Sequence, residues 1–237
     1  DVFVGLAQLQ FLDQCVGEVD VEGARKHGSV VERAEWLQSW YNRDIDACGK
    51  TLATTYNDAP FNYINGTPVS NWYGKDEYYG LCSLRYGIYY SLNVVAVKTI
   101  TEITPELGFN YLQNFGFTTL ESAKVIGDQI YTDIGQSLAL GGITNGILNC
   151  ELNSAYASIA NGGVYIEPKL YTYIEDVDGN IILDNTLPQQ HQVIKQTTAW
   201  LLTSAMQDVV TKGTGSAANF KGQTVAVIGN NDIAIEE

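Results

Sequence analysis

Two short stretches hold residue types whose spacing can do chemistry. In "HGSVVER", Ser29 follows Gly28 and stands three residues before Glu32. A serine becomes a nucleophile when a base lies within hydrogen-bond reach, and a carboxylate one helical turn along can approach its hydroxyl. The same S-x-x-E spacing is the capping box that opens a helix, worth about 0.5–2 kcal/mol. In "YYSLNVVAVK", Ser91, Leu92 and Asn93 put a hydroxyl two residues before an amide; as an isolated triplet this carries no chemical meaning. Cys15, Cys48, Cys82 and Cys150 are widely spaced with no C-x-x-C pair, and His27 and His191 are the two histidines. That set argues against a zinc site. It leaves open one or two disulfides in an oxidising compartment, or small buried thiols. Both histidines read as surface residues.

The elements that must position these residues come from a chain of 237 residues, 45% hydrophobic and 17% charged, enough for one large domain or two small ones. The formal net charge of −14 disfavours nucleic acid and acidic lipid surfaces as partners. The 15 tyrosines suit a groove for polar polymers, although from composition alone half-buried packing is the favoured reading. No run of about 18 apolar residues exists, so no membrane span is expected. The start, "DVFVGLAQLQ", lacks the basic region of a signal peptide, and the chain reads as a portion of something longer.

Two strands are expected around a turn, over 5–13 and from Gly17, followed by a helix over 29–41 with Val30, Val31, Ala34, Leu37 and Trp40 on one face. Residues 48–79, rich in Asn, Gly, Thr, Tyr and Pro, read as a long irregular excursion, the kind of loop that tends to be functional or disordered. Residues 83–103 read as two helical pieces broken at 91–93. Further helices are expected over "PELGFNYLQNFGF", "IGQSLALGG", "NCELNSAYASIANGG" and "KQTTAWLLTSAMQDVVT", the third with Leu152, Ala155, Tyr156, Ile159 and Ala160 on one face. "KLYTYIEDVDGNIILDN" reads as a hairpin turning at Asp178-Gly179, and "GQTVAVIGNN" as a buried strand. Strands at both ends with helices between them suit an α+β domain whose sheet joins the two chain ends.

Five blocks carry a resemblance. "DAPFNYINGTPVSNWYGKDEYYG", "YSLNVVAVKTI", "GFNYLQNFGFTTL", "SLALGGITNGILNCELNSAYASIANGGVYIEP" and "TAWLLTSAMQDVVTKGTGSAANFKG" stand in family order from about Asp58 to about Gly229. They resemble the transpeptidase domain of bifunctional (class A) penicillin-binding proteins. The resemblance implies an α+β (mixed α/β) fold of the penicillin-binding protein and serine β-lactamase type, with a central antiparallel sheet flanked by helices. It implies one domain over 1–237, cut short after the strand of the third motif. It implies acyl transfer from D-Ala-D-Ala stem peptides through a serine, with no cofactor and no metal. The implied partners are a peptidoglycan stem peptide or a β-lactam, and the implied location is extracytoplasmic, in a bacterial cell envelope.

The family surrounds its site with S-x-x-K, S-x-N and K-T-G. Carried over by position, Ser29 takes the nucleophile's place, Ser91 and Asn93 match S-x-N, and Gly229 with Thr214 would lie along the substrate. The departures fall on the chemistry. Glu32 stands in place of the first lysine and Arg33 in place of the following proline. Val227 and Ile228 stand in place of the lysine and threonine of the third motif. Glu32 adds negative charge beside a nucleophile meant for a substrate that itself bears a carboxylate, so the cap becomes the favoured chemistry at Ser29 and catalysis is expected to be impaired. A non-catalytic peptidoglycan-binding or scaffold module is the alternative. Lys212 to Gly215 looks like a displaced K-T-G, but reads better as the loop before the last motif. Lys98, two turns past Ser91, could face the cleft; a solvated role is favoured.

Overall fold

A computed structural model describes residues 51–219. Ser29, Glu32, Val227, Ile228, Gly229, His27, Cys15 and Cys48 lie outside the described residues, as do the expected N-terminal strands, the helix over 29–41 and the last strand.

The stretch read as irregular begins with a strand. β1 (Thr55–Asp58) pairs antiparallel with β2 (Gly80–Ser83), Thr55 opposite Ser83 and Asp58 opposite Gly80. The strand escaped notice because its inward positions are Tyr56 and Asp58, and a buried aspartate breaks the apolar alternation that marks a strand. Ser83 then caps α1 (Leu84–Tyr89), its Oγ accepting from the Tyr86 N–H at 3.1 Å. After a break at 90–92 comes α2 (Asn93–Ile103), and after Thr104, with Pro105 in the first turn, α3 (Pro105–Asn114).

α2 is the axis of the structure. Val94, Ala96, Val97 and Ile100 enter one hydrophobic cluster, while Val95 enters a second with Leu84, Ile88, Leu92 and Ala205. Valine, threonine and isoleucine are mediocre helix formers. Burial of Val94 to Val97, Thr99 and Ile100, rather than propensity, therefore sustains this helix.

A short hairpin of β3 (Lys124–Ile126) and β4 (Gln129–Tyr131), not anticipated from the sequence, leads to a 3₁₀ turn at Gln136–Leu140 closed by Gly141. α4 (Asn149–Ala160) buries Glu151, Ser154, Ala155, Ser158 and Ile159. Its expected face was thus rotated: Leu152 and Tyr156 pack only at the edge of the core. Gly163 follows at φ +87°, where a Cβ would lie 2.0 Å from the Ile194 carbonyl oxygen. Only glycine lets β5 (Val164–Ile166) turn and approach its partner β8 (Gln190–Gln192). Between them β6 (Tyr173–Glu175) and β7 (Ile181–Asp184) form the expected hairpin, with Gly179 at φ +82° in its turn. α5 (Gln196–Thr211) packs across α1 and α4 and ends before Lys212, as expected. Among the described residues the strands make four separate two-stranded pairs; the strands expected to build the central sheet lie outside them.

Candidate functional site

The S-x-N triplet occupies the break between α1 and α2, and its shape follows from how α1 ends. The Ser91 N–H donates to the Ile88 carbonyl at 3.1 Å and the Leu92 N–H to the Gly87 carbonyl at 2.9 Å. This is the Schellman pattern of helix termination, and its left-handed position, usually a glycine, is held by Ser91 at φ +55°. A side chain in that conformation costs about 1–2 kcal/mol. The surroundings hold it there. The Tyr90 carbonyl accepts from Trp72 Nε1 at 2.9 Å, and the Tyr89 carbonyl accepts from the Thr214 N–H at 3.1 Å. Leu92 is fully buried in the second core cluster. Ser91 itself is buried, and its Oγ has no hydrogen-bond partner among the described residues. A buried hydroxyl left unpaired is costly.

Asn93 opens α2. Its Nδ2 donates to the Ser70 carbonyl at 2.9 Å, and the following Val94 N–H donates to Asn71 Oδ1 at 3.3 Å. Asn71 in turn is gripped by Asp58: its Nδ2 donates to the two carboxylate oxygens at 3.0 and 3.2 Å. Tyr73 Oη donates to Asp58 Oδ2 at 2.7 Å, and the Tyr79 N–H donates to the same oxygen at 2.8 Å. Burial, together with the hydrogen bond to Asp58, raises the Tyr73 hydroxyl far above the usual tyrosine range, so it remains a donor at neutral pH.

An aromatic group lines the same region. Trp72, Tyr73, Tyr79, Tyr86, Tyr89 and Tyr90 form a chain of edge-on and stacked contacts, Tyr86 lying flat on Tyr90 at 4.7 Å. Such pairs contribute about 0.5–1.5 kcal/mol each beyond area burial. Burial and the neighbouring tyrosines also push the Tyr86 hydroxyl upward.

Of the expected site residues, the structure brings Ser91, Asn93 and the backbone of Thr214 together at the end of α1. The Thr214 side chain is exposed, and Lys212 to Gly215 is a loop rather than a motif strand. Gly213 fits there because a Cβ would lie 2.0 Å from the Tyr89 carbonyl oxygen. Lys98 is partly exposed; its Nζ donates to the Asn57 carbonyl at 2.6 Å and lies over the Phe61 ring. His191 is exposed as expected, with Nε2 2.9 Å from the Asn114 carbonyl. Cys82 is buried and Cys150 exposed, and neither is in a disulfide. Sequence reasoning missed Asp58, Ser70, Asn71 and Trp72. The signal available was a loop dense in Asn, Asp and aromatic residues directly ahead of the triplet.

The family model described as the penicillin binding protein transpeptidase domain matches residues 49–229. Penicillin-binding protein 1A of Clostridium botulinum is 30% identical over 192 residues, covering 78% of this chain and 22% of that protein. The chain spans about a fifth of the length of the relatives it matches. Two solved structures share the fold. The D,D-transpeptidase domain of a peptidoglycan glycosyltransferase from Eggerthella lenta has a TM-score of 0.59 at 17% identity, covering 93% of this chain and 50% of that one. Penicillin-binding protein A from M. tuberculosis, solved as an imipenem acyl-enzyme, has a TM-score of 0.61 at 16% identity, covering 93% of this chain and 45% of that one. The mixed helix-and-strand architecture is therefore that of penicillin-binding transpeptidases, and the chain belongs to the penicillin-binding protein transpeptidase domain family.

Proposed function

We propose that this chain is a D,D-transpeptidase-type domain that binds D-Ala-D-Ala stem peptides and β-lactams beside the Ser91–Asn93 loop, with acyl transfer through Ser29 strongly impaired. The observation that carries the binding half is Ser91: a strained, buried serine whose hydroxyl has no partner among the described residues, while its own N–H, the Leu92 N–H and the Tyr89 and Tyr90 carbonyls are all hydrogen-bonded. Strain of this kind persists when the surroundings over-determine it, and it clusters at ligand sites. The family match over 49–229 supports the same reading. Residues 1–237 then form one such domain, working outside the cytoplasm in a bacterial cell envelope. No helix among the described residues is long and apolar enough to cross a membrane.

The impairment follows from charge. Acyl transfer needs a base to take the Ser29 proton and a cation to hold the substrate carboxylate while the oxyanion develops. Glu32 offers a base but adds negative charge against both anions, and Val227 removes the cation. Loss of a base alone costs about 10²–10⁴-fold. The replacement of both motif lysines also favours a second reading, a non-catalytic module that holds peptidoglycan; its binding would be indifferent to Ser29→Ala.

The test is incubation with a fluorescent penicillin, followed by mass mapping and by anisotropy for reversible binding. Reversible binding with little or no covalent label on Ser29 is expected. Rapid stoichiometric acylation overturns the impairment, and absence of any binding to folded protein overturns the ligand assignment.

A further inference from the structure

We propose that Asp58 is a positioning residue for the Ser91–Asn93 loop, acting through the Ser70-Asn71 dipeptide; this rests on the reading that the loop binds β-lactams. Asp58 is 1% exposed and Asn71 5% exposed. No cation pairs with Asp58 among the described residues. A carboxylate buried without a counter-charge is expensive to keep and is tolerated only when donors saturate it. Here the Asn71 amide, the Tyr73 hydroxyl and the Tyr79 N–H do so.

The arrangement fixes a direction. Tyr73 gives its hydrogen to Asp58, so its oxygen can accept, and it accepts from Asn71 Nδ2 at 2.8 Å. The amide nitrogen of Asn71 thus faces a carboxylate and a hydroxyl oxygen. Turning that amide over would set its carbonyl oxygen against the carboxylate. Asn71 Oδ1 is therefore held toward the other side, where it receives the Val94 N–H in the first turn of α2. One residue earlier the Ser70 carbonyl receives the Asn93 amide. Adjacent residues of one loop grip the Asn93 side chain and the backbone just after it. The negative charge on Asp58 decides which way they face.

The experiment uses the 237-residue chain labelled with ¹⁵N-asparagine, the Asn93 side-chain amide being assigned by its loss in Asn93→Ser. Asp58→Asn keeps the shape but sets an amide group among three donors. It is expected to move the Asn93 amide resonance and to weaken reversible binding of a fluorescent penicillin at least tenfold, at a temperature where the protein is folded. Thr118→Val, which loses its hydroxyl bond to Glu151 on α4 and touches none of these residues, controls for lost stability. If Asp58→Asn lowers the melting temperature but leaves the resonance and the affinity as in that control, Asp58 is only structural and the proposal fails. If Asp58→Asn does not fold, Tyr73→Phe removes one leg of the triangle and decides in its place: a moved Asn93 resonance supports positioning, an unmoved one overturns it. If the wild-type chain binds no penicillin, the ligand reading fails, and the resonance alone decides the positioning.

Discussion

At the scale of the residue, Ser91 is where the sequence and the backbone disagree. The Schellman position calls for glycine, and a serine fills it at φ +55° with a buried hydroxyl that has no partner among the described residues. Both features oppose stability, so Ser91→Gly is expected to stabilise the fold by about 1 kcal/mol, the relieved strain exceeding the extra flexibility of the unfolded chain. For a chain of this size that raises the melting temperature by about 2–4 °C. The same variant should lose penicillin affinity, because it deletes the Ser91 hydroxyl that the proposed reading places at the ligand. A rise in stability with unchanged affinity would make the serine dispensable. Gly213 predicts the opposite sign. Its Cβ would collide with backbone atoms of Tyr89, so Gly213→Ala should destabilise by about 1–3 kcal/mol, read as a lowered urea midpoint. The Ser-Leu-Asn triplet was legible through its neighbours. Its left-handed turn was not, because nothing in those residue types announces a glycine position.

At the scale of the element, long helices were legible, and short strands only where a turn signal such as Asp178-Gly179 joined them. α3, α4 and α5 announce themselves by periodicity and by their stops, such as Asn161-Gly162-Gly163, because a helix of ten or more residues averages over local exceptions. β1, β3, β4, β5 and β8 have three or four residues each, too few for an alternation to show. The rotated face of α4 has a similar cause. Serines and a glutamate fill its inward positions, with Glu151 accepting from both the N–H and the hydroxyl of Thr118. Helix contacts also carry charge. Arg85 on α1 reaches Asp208 on α5 at 3.1 Å, and Lys212 reaches it at 2.8 Å. Burial pulls the Asp208 pKa upward, but the hydrogen bonds and charges of Lys212 and Arg85 outweigh it, leaving the carboxyl below its ordinary value. A depressed folded pKa stabilises above the unfolded value, about 3.9 for aspartate, and that contribution is lost as pH falls through the folded value. The urea midpoint of wild type should therefore exceed that of Asp208→Asn near neutral pH. The gap should close below about pH 4; a gap constant down to strong acid would remove the ion pairs from the stability of this contact.

At the scale of the whole molecule, α2 joins two cores, and the Ser91–Asn93 loop leads into its first turn. A structure built this way can keep its scaffold while its chemistry changes, because the scaffold is fixed by buried Val, Ile, Leu and Phe, which carry no reactive group. Under the proposed reading the departures from the family obey that division: Val94, Leu92, Phe109 and Phe115 fill the cores, while the resemblance assigns Glu32, Val227 and Ile228 to the reactive motifs. If only chemistry has been lost, restoring it should restore acylation. The triple variant Glu32→Lys, Val227→Lys and Ile228→Thr returns a base beside Ser29 and a cation for the substrate carboxylate. It should raise the rate of covalent penicillin labelling at Ser29 by at least about 10²-fold over wild type, the lower end of what a positioned base supplies. Because cooperating groups are not additive, Glu32→Lys alone should recover far less than the triple variant. Labelling that stays absent in a folded triple variant would mean that Ser29 and Ser91 do not face one cleft, and the shared site would have to be abandoned while the family fold stood.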